Sequence, residues 1–175
     1  RAPIRGRAGG RSVVRVFGCP GTGPVCAALG GATAATTVEV ARIYLDWARR
    51  NLALSGFGEG EHELVQADCL HWLERPESGR RYGLIFLDPP TFSTSKRMQH
   101  HFDVQRDDLD LIRKTTRLLE REGMLIFSTN CRTFKLGREG LAGLEVEDIA
   151  RATLPRDFER HPRLHHCWKM AWSRP

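Results

Sequence analysis

Three carboxylates in the first ninety residues stand at the ends of apolar, strand-like runs. Glu39 closes ATTVE, Asp68 follows HELVQA, and Asp88 follows YGLIFL. A glycine-rich loop, Phe17-Gly18-Cys19-Pro20-Gly21-Thr22-Gly23, follows an earlier apolar run, Val13–Phe17. Gly21 and Gly23 let backbone approach a ligand more closely than a Cβ would allow. Glu39 lies 18 residues beyond Gly21, the spacing of an acid that accepts from ribose hydroxyls in nucleoside-type cofactors. Asp68-Cys69 offers an acceptor for an adenine amino group, and Asp68 equally suits the N-cap of a helix. Asp88-Pro89-Pro90-Thr91-Phe92 combines a carboxylate with two prolines that supply no N–H, a rigid turn able to face a planar substrate. Phe92 can stack on a base, and Lys96 and Arg97 in the loop beyond it can reach phosphates.

These residues need strands that end at a common edge. The pattern predicts strands over Val13–Phe17, Ala35–Val40, Glu61–Ala67, Tyr82–Leu87 and Met124–Ser128, with helices starting near Val25 and over Arg42–Leu54, Cys69–Leu73 and Val104–Leu119. On the second helix Ile43, Trp47 and Leu54 share one face, and Trp47 and Trp72 are assigned to the core. A long polar loop spans 88–103. Alternating strands and helices imply a parallel, doubly wound sheet, in which ligands bind at the carboxyl ends of the strands. Leu144–Ile149 and Cys167–Trp172 read as two further strands joined by little more than a short helix, Ala150–Leu154. That implies an antiparallel hairpin at the sheet edge.

Composition narrows the class. The 175 residues suit one domain, placed at 13–175 behind a basic stretch, residues 1–12, read as a flexible arm or a fragment edge. The net charge of +6 is carried by 23 Arg and 4 Lys, which suits an anionic partner, nucleic acid first. Five cysteines with no C-x-x-C pair argue against a disulfide scaffold or zinc ribbon and for a reducing, cytoplasmic setting. No apolar run reaches the ~18 residues of a membrane helix. His161, His165, His166 and Cys167 invite a metal, but strand alternation sends neighbours to opposite faces, so no metal site is assigned.

Two stretches carry a resemblance. Asp88-Pro-Pro-Thr-Phe-Ser-Thr-Ser-Lys-Arg-Met98 and Phe102-Asp-Val-Gln-Arg106 resemble the guanine-N7 methyltransferase module of bifunctional bacterial 23S rRNA methyltransferases. Tyr44-Leu-Asp-Trp47, Arg50-Asn51, Gln66–Leu70 and His166-Cys-Trp168 are similar to it too. The resemblance implies a Rossmann-like class I methyltransferase fold with a mostly parallel seven-stranded sheet and an antiparallel edge hairpin. It implies S-adenosyl-L-methionine as cofactor, held by Phe17, Gly21, Gly23, Glu39, Asp68 and Cys69, with Asp88, Pro89, Pro90 and Phe92 at the reacting base. The implied partner is 23S rRNA or a large-subunit assembly intermediate, within a polypeptide that also carries a THUMP domain and a second methyltransferase half. The chain departs from the pattern at Cys19-Pro20, at Glu39 where the family has Asp, and at Asn130-Cys131. Three alternatives stay open at this point: methylation at guanine N2, methylation at cytosine C5 through Cys131, and a non-catalytic RNA-binding domain with an altered cofactor loop.

Overall fold

The structure is a computed structural model and describes residues 5–18, 22–58, 60, 62–75, 79–93, 101–154 and 165–173. In chain order the elements are β1 (Ser12–Val16), α1 (Thr22–Leu29), β2 (Ala34–Glu39), α2 (Arg42–Leu54), β3 (His62–Gln66), α3 (Cys69–Glu74), β4 (Tyr82–Leu87), β5 (Phe92–Ser93), β6 (Phe102–Asp103), α4 (Val104–Thr116), β7 (Leu119–Thr129), β8 (Leu144–Asp148), α5 (Ala150–Thr153) and β9 (His166–Trp172). Seven strands form one sheet in the order β3-β2-β1-β4-β7-β9-β8. The first five are parallel. β9 runs antiparallel to β7 and β8 antiparallel to β9, so the expected reversed hairpin is present at that edge.

Strand alternation builds two hydrophobic layers. Val14, Val16, Ile85, Leu87, Leu125 and Phe127 face one side, where Leu73, Leu111 and Ile112 cover them. Val13, Leu84, Phe86, Ile126 and Cys167 face the other, against Ala27. Every residue of β4 is buried, as its unbroken apolar run requires of a strand covered on both faces.

Four expectations change. Helix α4 stops at Thr116 and β7 begins at Leu119, five residues before the predicted start. Leu118 and Leu119 are buried and continue the helical apolar spacing, which hid the boundary. Helix α2 has the predicted bounds, but its buried side is Leu45, Ala48 and Leu52. Ile43, Trp47 and Leu54 are 57%, 44% and 87% exposed, so Trp47 is not a core residue. Both sets satisfy a helical period, and small Ala48, fully buried, is what lets its side seat closely. Trp72 is half-buried against the main core, as assigned. The polar loop 88–103 contains a two-stranded ribbon, Phe92 opposite Asp103 and Ser93 opposite Phe102. Finally, residues 8–11 of the basic stretch pack on the domain. Ala8 is fully buried, Gly10 N–H donates to Gly31 O, and Arg11 Nη1 donates to Gly83 O at 3.1 Å. Among the described residues no helix is long and apolar enough to cross a membrane.

Candidate active site

At the carboxyl ends of β1, β2, β4 and β7 lies a cleft of about 460 Å³, within the range of small-molecule sites. Phe17, Glu39, Cys69, Asp88, Pro89 and Pro90, all singled out from sequence, line it. Val40, Tyr44, Ser93 and Asn130 complete the wall.

Each lining residue is held by a local device. Phe17 leaves β1 with φ 63°, a left-handed conformation that a non-glycine residue adopts only under constraint. Its ring lies 6.0 Å from that of Phe102, and the next amide, Gly18 N–H, donates to Val38 O at 3.2 Å. A Cβ on Gly18 would stand 2.4 Å from Thr37 Cγ2, so the strand-to-helix loop closes on β2 only because this residue has none. Glu39 is 6% exposed, and its Oε1 accepts from Ala41 N–H at 2.9 Å, fixing the carboxylate at the start of α2. Cys69 is buried with its thiol toward Val38 O at 3.5 Å. Burial pushes that thiol up to about 12, so it stays protonated and is no nucleophile. Asp88 receives a hydrogen bond from Ser128 Oγ at 2.7 Å.

Other predicted site residues lie elsewhere. Asp68 is the N-cap of α3, its Oδ1 accepting from Leu70 N–H and His71 N–H. It lines a separate depression of about 230 Å³ between α3 and α4. Gly23 sits buried in the first turn of α1, where a Cβ would meet Arg15 Nη1 at 2.0 Å. The space it leaves is filled by Arg15, itself buried with its guanidinium over the Phe86 ring. Phe92 is 65% exposed in the ribbon, one residue before cleft-lining Ser93. Gly21, Lys96, Arg97 and His161 lie outside the described residues. Cys131 is half-buried just beyond Asn130, its Sγ 3.8 Å from Thr133 Oγ1.

Behind Asp88 the start of β9 forms a half-buried polar layer. His165 Nε2 lies 3.0 Å from Thr153 Oγ1. Burial pushes the His165 pKa down, against the opposing pull of the Asp88 charge. Cys167, opposite Ser128, is pushed up to about 11 by burial and remains a neutral thiol. The roles of Ser128, Tyr44 and Asn130 are absent from the sequence reading. The two prolines after Asp88 signal that its nearest backbone donors are lost, but not which residue replaces them.

A buried acceptor at the end of β2 and a rigid carboxylate turn at the end of β4, on one cleft, suit a hydroxylated nucleoside ligand beside a planar substrate. The architecture superposes on solved structures of methyltransferases. One protein provisionally assigned as a methyltransferase and solved with SAH superposes with a TM-score of 0.79 at 24% identity, over 95% of this chain and 46% of its own. The SAM-dependent methyltransferase from Agrobacterium tumefaciens superposes at 0.71 with 16% identity, over 98% of this chain and 58% of its own. The fold is therefore the Rossmann-like α/β methyltransferase fold, a seven-stranded, mostly parallel sheet with an antiparallel edge.

Sequence comparison is more specific. The chain is homologous to a segment of the ribosomal RNA large subunit methyltransferase K/L proteins. It is 58% identical over 161 residues to that of Methylococcus capsulatus and 54% identical over 159 residues to that of Allochromatium vinosum, each match covering 91% of this chain. The chain spans about a fifth of the length of these curated relatives, 22% in both cases. No protein-family model matches it.

Proposed function

We propose that this chain is the catalytic domain of an S-adenosylmethionine-dependent rRNA methyltransferase that methylates N7 of a guanine in 23S rRNA. The observation that carries the reading is the meeting of Glu39 and Asp88-Pro89-Pro90 on one cleft, in a segment 58% identical to a rRNA methyltransferase. The methyltransferase domain comprises residues 13–175 together with residues 8–12 of the basic stretch, which pack on it. The reading includes a cytoplasmic setting, and a larger polypeptide carrying an RNA-binding THUMP domain and a second methyltransferase half. Its partner is 23S rRNA or a large-subunit assembly intermediate.

Glu39 accepts from the ribose hydroxyls of the cofactor, with Phe17 and Cys69 lining the same cleft and Gly21 assigned to the cofactor as well. Asp68, turned into its helix through one oxygen, borders the adenine end. Bound S-adenosylmethionine supplies an electrophilic methyl group on a sulfonium. Guanine N7 presents a lone pair and carries no proton, so its attack on that methyl would need orientation and no base from the chain. The chain's task is orientation. Asp88 at the rigid turn fixes the base, Phe92 stacks on it, and Lys96 and Arg97 meet the phosphates.

The test compares Asp88→Ala with Cys131→Ala for transfer of tritiated methyl to 23S rRNA in the intact protein, followed by mapping of the modified base. Asp88→Ala is expected to lose activity by ~100-fold, because a misplacement of about 1 Å costs that much. Cys131→Ala is expected to retain it. A dead Cys131→Ala, an active Asp88→Ala and a 5-methylcytosine product would establish covalent C5 chemistry instead. Failure to bind S-adenosylhomocysteine at millimolar concentration would establish a non-catalytic domain.

A further inference from the structure

The three strand-end acids are held in different ways, and the difference assigns a task to a residue on another strand. Glu39 accepts from the N–H two residues on, Ala41, and Asp68 from the N–H groups two and three residues on, Leu70 and His71. Asp88 lacks the nearest such donors, because Pro89 and Pro90 have no N–H. It accepts from the hydroxyl of Ser128, 40 residues away, at 2.7 Å. Parallel pairing of Leu87 with Phe127 sets residues 88 and 128 side by side as β4 and β7 leave the sheet. Ser128 is 3% exposed, and Cys167 of β9 closes its other side, so water does not compete for the hydroxyl.

We infer that Ser128 is the positioning residue for Asp88: its O–H aims the carboxylate that the proline turn deprives of its two nearest backbone donors. The inference rests on the proposed role of Asp88 at the substrate base. Ser128 touches neither base nor cofactor in this scheme. It acts by removing rotational freedom from Asp88, so its loss must appear in turnover and not in cofactor binding.

The experiment measures methyl transfer to 23S rRNA and S-adenosylhomocysteine affinity for Ser128→Ala, Ser128→Thr, Ser128→Cys, Asp88→Ala and the Ser128→Ala/Asp88→Ala pair, all in the intact protein. A hydrogen bond to a charged group is worth roughly a ten- to hundredfold effect. Ser128→Ala is therefore expected to lower kcat roughly ten- to a hundredfold with cofactor affinity unchanged, and Ser128→Thr, which keeps the hydroxyl, to recover most of it. Ser128→Cys keeps a side chain in place but offers only a weak donor, so it reads the bond even if the alanine variant folds poorly. In the Asp88→Ala background Ser128→Ala should add nothing, because its partner is gone. Wild-type turnover in Ser128→Ala beside a slow Asp88→Ala overturns the inference and leaves the proposed function standing. So does a fall in kcat matched by an equal fall in cofactor affinity, or additive losses in the pair. An active Asp88→Ala removes the proposed role of Asp88, and the inference falls with it.

Discussion

Replacing Glu39 removes two interactions that can be read separately. One is the hydrogen bond from Ala41 N–H at 2.9 Å, which caps a helix whose N-cap residue, Ala41, has no capping side chain. Losing an N-terminal cap costs about 1 kcal/mol. For a domain of this size that lowers Tm by ~2–4 °C. The other is the proposed interaction with the cofactor ribose. Leaving its hydroxyl donors unpaired in a site where Glu39 is 6% exposed costs about 1–3 kcal/mol, or roughly five- to 150-fold in affinity. Glu39→Ala should show both losses. Glu39→Gln keeps a carbonyl for Ala41 N–H but replaces the second oxygen by a donor, so Tm should stay near wild type while affinity falls. Thermal melts without ligand and calorimetric titration with S-adenosylhomocysteine separate the two. If the glutamine variant binds like wild type and the alanine variant loses only Tm, the carboxylate is a helix cap and no ribose acceptor.

Gly18→Ala should destabilise the chain by about 1–3 kcal/mol through overpacking, since the new Cβ falls 2.4 Å from Thr37 Cγ2 and its other neighbours are at ordinary contact. Thr37→Ser deletes that methyl, so the pair should be more stable than Gly18→Ala alone in urea unfolding; strictly additive losses would refute the clash. Burial holds the His165 pKa below its ordinary value, so the unfolded chain takes up this proton more readily. His165 therefore contributes fully above pH ~6.5 and its contribution is lost as pH falls through the lower folded value. Tm should drop between pH 7 and 5.5, and less so in His165→Gln; parallel pH profiles would exclude His165 as the source.

Local features were legible in the sequence. The Asp68 cap, the bounds of α2 and the buried run of β4 each rest on a few consecutive residues whose chemistry decides the structure. Where two local patterns competed, sequence could not choose. Ile43, Trp47 and Leu54 are as helical in spacing as Leu45, Ala48 and Leu52, and only the tertiary contact of Ala48 selects the side that is buried. The glycine at position 23 was legible as a close approach, but its neighbour is Arg15, set by strand β1. Ser128 was out of reach for a different reason: its meaning depends on the register of β4 against β7, which no pattern within either strand encodes.

The placement of β9 has a consequence for how the chain matures during synthesis. β9, made after both, lies between β7 and β8, so until it has emerged from the ribosome the five parallel strands can pair but β8 has no neighbour to join. Until β9 arrives, β7 presents an unpaired edge of buried-type residues, Leu125 to Thr129, the kind of edge that templates aggregation. The Glu39 half of the cleft rests on β1 and β2 and can form early. The wall behind Asp88, which depends on Ser128 being closed off by Cys167, waits for β9, so the two halves of one cleft are completed at different times during synthesis.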